Sequence, residues 1–133
     1  MRTEAAVIAG TGVTRLEEFE LPPLGEHELL LKVVSSSMCY STYKAYSLGA
    51  QHKRVPENVA EVPIVTGHEF AGVIEEVGAD LTGRFEVGQH VAVQPAMGLP
   101  TGYSPGYSYR DYGGDATYTI IPQLAIDMGC VLP

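Results

Sequence analysis

The sequence predicts a mainly β protein, a small β-barrel or a folded sheet, with one short helix and long loops. About six to eight short apolar segments are separated by glycine, proline and polar residues, as strands and turns are. Only one segment has the composition and flanking residues of a helix. At 133 residues the chain has the length of one domain, and it can bury roughly two-thirds of its unfolded surface without disulfides.

The first two segments are predicted to form a β-hairpin whose turn is Gly10, Thr11 and Gly12. An apolar strand followed by Gly-x-Gly also opens dinucleotide-binding units. Here the third glycine position is Arg15, and Pro22 and Pro23 follow soon after. They leave no room for the helix whose N-terminus holds a pyrophosphate. We therefore expect a hairpin and no NAD(P) site within this chain.

The middle of the chain is predicted to contain a central strand and the short helix. Residues 28–37 are apolar almost without interruption, which is typical of a strand at the centre of a sheet. Residues 41–48 then form the helix, which ends at Gly49. Residues 50–63 are predicted to be an exposed loop. The other predicted strands are residues 70–78, 87–94, 117–121 and 124–126, the last two separated by Pro122.

Residues 98–114 form a long loop rich in glycine, proline and tyrosine, and loops of this length in compact domains are often functional. Tyrosines within it could line a sugar pocket, or could simply pack the loop. They are Tyr103, Tyr107, Tyr109 and Tyr112.

The composition excludes several classes of protein. A net charge of −8 argues against a nucleic-acid partner. The cysteines, Cys39 and Cys130, are too few for a disulfide framework and fit a reducing compartment. No apolar run approaches the roughly 18 residues of a membrane span, and the acidic N-terminus is unlike a signal peptide. These features predict a cytoplasmic protein with no membrane partner.

Cys39, His68 and Glu69 are the candidate metal ligands. Each lies where an apolar strand meets a loop. A thiolate, an imidazole and a carboxylate with a fourth position open would form a catalytic zinc site. Cys39 could instead be a small buried apolar residue, and the His-Glu pair a mere strand entrance. Ser41, two residues after Cys39, could relay a substrate proton, cap the helix, or do both.

A basic cluster follows in Lys44, His52, Lys53 and Arg54. Guanidinium and ammonium groups bind phosphate through charge-assisted hydrogen bonds, so the cluster could contact a phosphorylated substrate. A solvated loop is the alternative.

Together these residues resemble the signature of zinc-containing medium-chain alcohol and polyol dehydrogenases. The similarity is densest over residues 67–78 (GHEFAGVIEEVG) and continues to residues 87–91. Cys39 and Ser41 are similar to the family's first zinc ligand and the hydroxyl that follows it. Residues 113–118 resemble a later Gly-Gly-x-Ala-x-Tyr strand. The resemblance covers essentially the whole chain.

The resemblance implies that residues 1–133 are a GroES-like pinched β-barrel, the catalytic domain of a larger dehydrogenase whose Rossmann domain is absent here. Cys39 and His68 would be zinc ligands, Glu69 a ligand or a neighbour of one, and Ser41 the proton relay. The full-length protein would be a homo-oligomer that uses NAD(P) to oxidise a polyol or reduce a sugar phosphate. This chain alone would be inactive.

Departures from the family pattern narrow the expectation. Thr42 stands where an aspartate usually follows the relay hydroxyl, and Gln89 replaces another aspartate. Residues 98–114 contain no cysteine, so we expect one catalytic zinc and no structural zinc. Residues 48–58 and 94–103 are most similar to L-sorbose 1-phosphate reductases. This implies a sugar phosphate bound by Lys44, Lys53 and Arg54.

Two alternatives belong to other classes. One is a fragment of a zinc-free quinone reductase, which would need neither Cys39 nor the His-Glu pair. The other is a non-catalytic GroES-like interaction module, in which Cys39 and His68 would lie far apart. Tetrahedral zinc ligation requires their donor atoms to be about 3–4 Å apart.

Overall fold

The computed structural model describes residues 1–94 and 104–133, whose strands form two antiparallel sheets. The strands are β1 (Arg2–Gly10), β2 (Val13–Glu20), β3 (Leu29–Ser36), β4 (Ile64–Val65), β5 (Phe70–Val77), β6 (His90–Val93), β7 (Tyr118–Ile121) and β8 (Val131–Leu132). The helices are α1 (Tyr40–Leu48) and α2 (Gln123–Asp127), and short 3₁₀ turns cover Gly49–Gln51 and Ala79–Leu81.

The smaller sheet has the strand order β2-β1-β4. Its β1–β2 hairpin turns at Gly10, Thr11 and Gly12, so the predicted hairpin is confirmed. On its other side β1 pairs with β4, where Val7 lies opposite Val65. This pairing brings the segment just before His68 against the first strand.

The larger sheet has the order β7-β3-β5-β6-β8. β3 has a partner on each side, as its apolar run predicted. Leu29, Leu31, Ile74 and Ile121 are completely buried in the core beneath this sheet. The mainly β class is thus confirmed.

The predicted closure into a barrel is not present in residues 1–94 and 104–133. Closure needs every edge strand to find a partner. β2 and β8 are paired on one side only, and β4 has just two residues. The sheets are linked instead by an isolated bridge between Ala5 and Ala116.

Helix α1 is the predicted helix, and it ends at Gly49 as expected. The predicted strand over residues 124–126 is wrong, because these residues lie in α2. Pro122, with extended dihedrals, is the N-cap of that helix, and the adjacent Ala125 and Ile126 are both buried. Adjacent buried residues do not alternate as in a half-exposed strand, and so short a segment cannot be assigned by periodicity alone.

The ends of two other predicted elements also differ. β6 begins at His90 because Val87 and Gly88 belong to a turn, although Val91 and Val93 alternate with exposed residues as expected. Part of the predicted 98–114 loop, including Tyr103, lies outside the described residues. No helix in the described ranges is long and apolar enough to cross a membrane.

Candidate metal centre

Cys39, His68 and Glu69 lie together, with one donor atom of each within 4.8 Å of the others. The Nε2 atom of His68 is 3.2 Å from Oε1 of Glu69. The side chains of Cys39 and His68 are partly buried, whereas that of Glu69 is exposed. Tetrahedral zinc requires donor separations of about 3–4 Å, so the three donors lie in the range from which side-chain rotation has to close the set. This proximity is not what an interaction module would show.

The pairing of β3 with β5 explains why the three residues meet. The two strands are antiparallel, and Ser36 at the end of β3 lies opposite Phe70 at the start of β5. Chain leaving β3 toward Cys39 therefore passes chain arriving from His68 and Glu69. The backbone amide of Ser37 extends the pairing by donating to the carbonyl of Glu69 at 2.9 Å, and Ser37 Oγ donates to Glu69 Oε2 at 3.1 Å.

Glycines at two positions let backbone segments approach His68 closely. Gly67 has φ +90°, and a Cβ there would lie 2.8 Å from the amide nitrogen of Asp115. Gly106 has φ +85°, and its Cβ would lie 3.0 Å from the amide nitrogen of His68. Both positions combine a left-handed backbone with no space for a side chain. Gly67 belongs to the signature over residues 67–78, whereas no sequence pattern marks Gly106.

Ser41 lies in the first turn of α1, and its hydroxyl donates to Cys39 Sγ at 3.0 Å. It is not the N-cap, since Cys39 occupies that position and makes no capping hydrogen bond through its side chain. The cap interpretation is therefore wrong. The hydroxyl is therefore hydrogen-bonded directly to a candidate ligand atom.

A cleft of about 380 Å³ opens beside Cys39. Residues of β1 line one side of the cleft, and α1 forms its rim, where Tyr43 is exposed. The exposed Met38 lies just before this helix. Thr42, which replaces the usual aspartate, also lines it. Cys39, Thr66 and Asp115 are among its lining residues. A small organic molecule in this cleft would lie next to the candidate ligands.

The basic cluster is connected to the metal centre through Tyr107. The His52 ring stacks on Tyr107 with 5.3 Å between centroids, and the Arg54 guanidinium lies 5.7 Å from the same ring. Tyr107 also contacts His68, at 5.6 Å between centroids. Burial of His52, followed by the charges of Arg54, Lys53 and Lys44, lowers the pKa of its imidazole. The charges of all three predicted phosphate-contacting cations therefore act on the His52 ring.

Two of the loop tyrosines are packing residues rather than exposed pocket residues. Tyr107 and Tyr112 are both buried. Burial raises the pKa of the Tyr112 hydroxyl well above its usual range. Tyr107 nevertheless has a place in the site, because it separates the metal centre from the cations.

A second trio, Glu26, His27 and Asp80, also has donor atoms within 4.8 Å of one another. It lies near the start of β3 and the end of β5, so it is at the far ends of the two strands that frame the Cys39 trio. All three side chains are exposed. This exposed trio could also bind zinc, so a zinc titration of the Cys39 site requires a variant in which the trio has lost a ligand.

A GroES-like β domain with a thiol, an imidazole and a carboxylate gathered at the ends of two neighbouring strands is typical of zinc-containing oxidoreductases. The chain belongs to the alcohol dehydrogenase GroES-like domain family, whose profile matches residues 25–127. The family-level prediction from the sequence is thus confirmed.

Among curated proteins the chain is 61% identical over 132 residues to mannitol-1-phosphate 5-dehydrogenase of Aliivibrio fischeri, covering 99% of the chain and 31% of that protein. It is 40% identical over 131 residues to L-sorbose 1-phosphate reductase of Klebsiella pneumoniae, covering 98% and 32%. The chain thus spans about a third of the length of these relatives.

Among solved structures, the cobalt- and zinc-bound thermostable alcohol dehydrogenase of Pyrobaculum aerophilum superposes with a TM-score of 0.76 at 25% identity. The match covers 99% of this chain and 41% of that one. The similarity extends over both sheets and includes a metal-bound relative.

Proposed function

We propose that this chain carries the zinc site of an NAD(P)-dependent alcohol dehydrogenase or ketose reductase that acts on a polyol or sugar phosphate. The observation that carries the proposal is the gathering of donor atoms from Cys39, His68 and Glu69 within 4.8 Å. The relatives named above support the reaction class. Because the chain spans only 31% of the first of them, the activity is proposed for the full-length protein.

The donor set fits zinc. Thiolate, imidazole and carboxylate are all zinc ligands, and a site with three protein ligands leaves a position for substrate. Cys39 and His68 would hold the ion, with Glu69 as the third ligand or as the partner that orients His68. When bound, zinc supplies Lewis acidity toward an alcohol or carbonyl oxygen. A zinc-free quinone reductase would have no use for this set.

The chain's own residues would then orient the substrate and handle its proton. Ser41 would accept the proton of a substrate alcohol and pass it on to solvent. Its hydroxyl is already held beside Cys39 by a hydrogen bond. The cleft rim on α1 would shield the reacting carbon from water. Nicotinamide, bound by other parts of the full-length protein, supplies hydride transfer.

The basic cluster supports a sugar phosphate as the substrate. Lys44, Lys53 and Arg54 are three of only eight lysines and arginines in a chain of net charge −8. Their charges lower the pKa of His52, whose ring stacks on Tyr107, and Tyr107 also contacts His68. Arg54 can bind phosphate in bidentate fashion, and the lysines add charge. The names of two relatives include a hexitol or ketose phosphate.

Zinc titration tests the proposed site. In a His27→Gln background, which removes the imidazole of the exposed trio, one equivalent of Zn²⁺ should bind. Cys39→Ser and His68→Ala should each weaken it by more than about 100-fold, since losing even an outer partner costs about 10–100-fold. Cys130→Ser and His90→Gln are the matched controls and should bind as the parent does. Unchanged zinc affinity in Cys39→Ser and His68→Ala would show that the assignment is wrong.

A further inference from the structure

We propose that Asp115 is a positioning residue that holds the two ligand-bearing segments at the separation the metal requires. The inference rests on the proposed zinc site. The sequence offered no reason to select Asp115, because it occupies the variable position of the Gly-Gly-x-Ala-x-Tyr pattern.

The two oxygens of the Asp115 carboxylate bind one segment each. Oδ1 accepts a hydrogen bond of 2.7 Å from Ser36 Oγ, at the end of β3 and three residues before Cys39. Oδ2 accepts one of 2.7 Å from Thr66 Oγ1, two residues before His68. A single side chain thus bridges the approaches to both ligands.

The backbone of Asp115 is itself held by hydrogen bonds, so the position from which its carboxylate extends is fixed. Its amide donates to the carbonyl of Thr66 at 2.9 Å, and its carbonyl accepts from the amide of Ala6 at 2.8 Å. The neighbouring Gly114 donates to the carbonyl of Gly67 at 2.8 Å. Asp115 can approach this closely because Gly67 has no side chain. Through its carboxylate and its backbone, Asp115 therefore connects β1, β3 and the segment that carries His68; we call these contacts the Asp115 tether.

A carboxylate suits this position because it offers two acceptors to two hydroxyl donors. Hydrogen bonds to an ionised acceptor are shorter and roughly twice as strong as neutral ones. Thr66 Oγ1 also lies 3.2 Å from the carbonyl of Ala6, but Ser36 has Asp115 as its side-chain partner. Removing the carboxylate leaves the β3–β5 pairing and the Ser37–Glu69 hydrogen bonds to set the spacing. Thr42, on α1, stands where relatives usually have an aspartate, so it provides no carboxylate that could replace that of Asp115.

The direct test measures metal binding by this chain in the His27→Gln background. Asp115→Ala should weaken Zn²⁺ binding by about 10–100-fold, the usual effect of losing a partner that orients ligands. Asp115→Asn keeps one acceptor and gains a donor that the second hydroxyl can accept, so it should recover most of the affinity. Asp127→Ala, an exposed aspartate in α2, is the control and should have no effect.

Cobalt spectroscopy separates positioning from simple stability. With Co²⁺ in place of zinc, the thiolate-to-cobalt charge-transfer and ligand-field bands report the geometry around the metal. Asp115→Ala should shift these bands, and Asp115→Asn should restore them. Ser36→Ala and Thr66→Val should each give a smaller loss of affinity that is not additive with Asp115→Ala. Thermal unfolding by circular dichroism identifies the temperature at which all variants are folded.

The outcomes distinguish this inference from the proposed function. Parent affinity and spectrum in Asp115→Ala, with binding lost in Cys39→Ser, overturn the positioning role and leave the zinc site intact. Parent affinity in both variants overturns the zinc site. If Asp115→Ala does not fold, Ser36→Ala and Thr66→Val decide the matter, because parent spectra in both overturn the tether.

Discussion

His52 shows how a single residue reports on the charge around it. Burial against Tyr107 is the largest cause that lowers its pKa, and Arg54, Lys53 and Lys44 lower it further. Its Nδ1 accepts a hydrogen bond of 3.1 Å from the Arg54 amide, so the neutral ring carries its proton on Nε2. The folded state favours the neutral ring. This contribution to stability is present above the unfolded pKa of about 6.5 and is lost as pH falls through the folded pKa.

Phosphate binding at the basic cluster should raise the pKa of His52, because an anion offsets the repulsion from the three cations. NMR titration of the His52 ring with and without inorganic phosphate, at matched ionic strength, measures the change. In Lys53→Gln the pKa should be higher from the start, and phosphate should raise it less. The His90 ring signals are the internal control. A His52 titration that does not respond to millimolar phosphate would contradict a phosphate site here.

At this scale the sequence predicts the donors but not the residues that hold them. Cys39, His68 and Glu69 were recognisable because their side chains have metal chemistry. Asp115, Tyr107 and Gly106 act through the path of residues 104–117, which depends on long-range packing. No local pattern encodes that path.

At the scale of elements, Arg110 connects the β1–β2 hairpin to the segment that begins at residue 104. Its guanidinium donates to Glu17 Oε1 at 2.6 Å and lies 4.1 Å from the centroid of the Phe19 ring. It also donates to the carbonyl of Pro63 at 3.4 Å. The hydrogen bond from Arg110 is the largest cause that lowers the pKa of Glu17.

Glu17→Gln should lower the free energy of unfolding by roughly 1 kcal/mol at pH 7, the upper end for ion pairs that retain some solvent contact. A lowered carboxyl pKa stabilises the fold above the unfolded pKa, and the effect is lost as pH falls through the folded pKa. The difference between Glu17→Gln and the parent should therefore disappear in acid. Urea unfolding at pH 7 and pH 3 measures it. Glu18→Gln, which breaks an exposed pair with Arg2, should cost less.

The elements themselves were predicted with uneven success. β3 and the β1–β2 hairpin were recoverable, because a long apolar run and a Gly-x-Gly turn are strong local signals. The α2 segment was not, because five residues after a proline satisfy strand and helix patterns equally. Its helical state comes from packing Ala125 and Ile126 into the core beneath β3.

Over the whole molecule, the described residues contain no Gly-x-Gly turn that opens a helix. The glycines at 10 and 12 turn an antiparallel hairpin, and every strand pair is antiparallel. Dinucleotide sites use parallel strands joined through a helix whose N-terminus faces the pyrophosphate. The GroES-like class was predictable from the signature residues, whereas the open form of the two sheets depends on edge pairing that no single segment reveals.

The chain should accordingly bind neither NAD⁺ nor NADPH tightly. Calorimetric titration should give no saturable heat below about 1 mM nucleotide, an affinity of only about −4 kcal/mol. Zinc binding by the same sample provides the control for folded protein. A micromolar dissociation constant for either nucleotide would contradict this prediction.

The position of β3 between two partners has a consequence for motion. Amides of residues 29–32, where β3 is paired on both sides, exchange with solvent only through large openings, whereas an exposed carboxylate such as that of Glu69 reorients in picoseconds to nanoseconds. The doubly paired part of β3 and the Glu69 side chain therefore move on widely separated timescales. We therefore expect that zinc, held as proposed by Cys39, His68 and Glu69, would enter and leave through side-chain rotation while these strands stay paired.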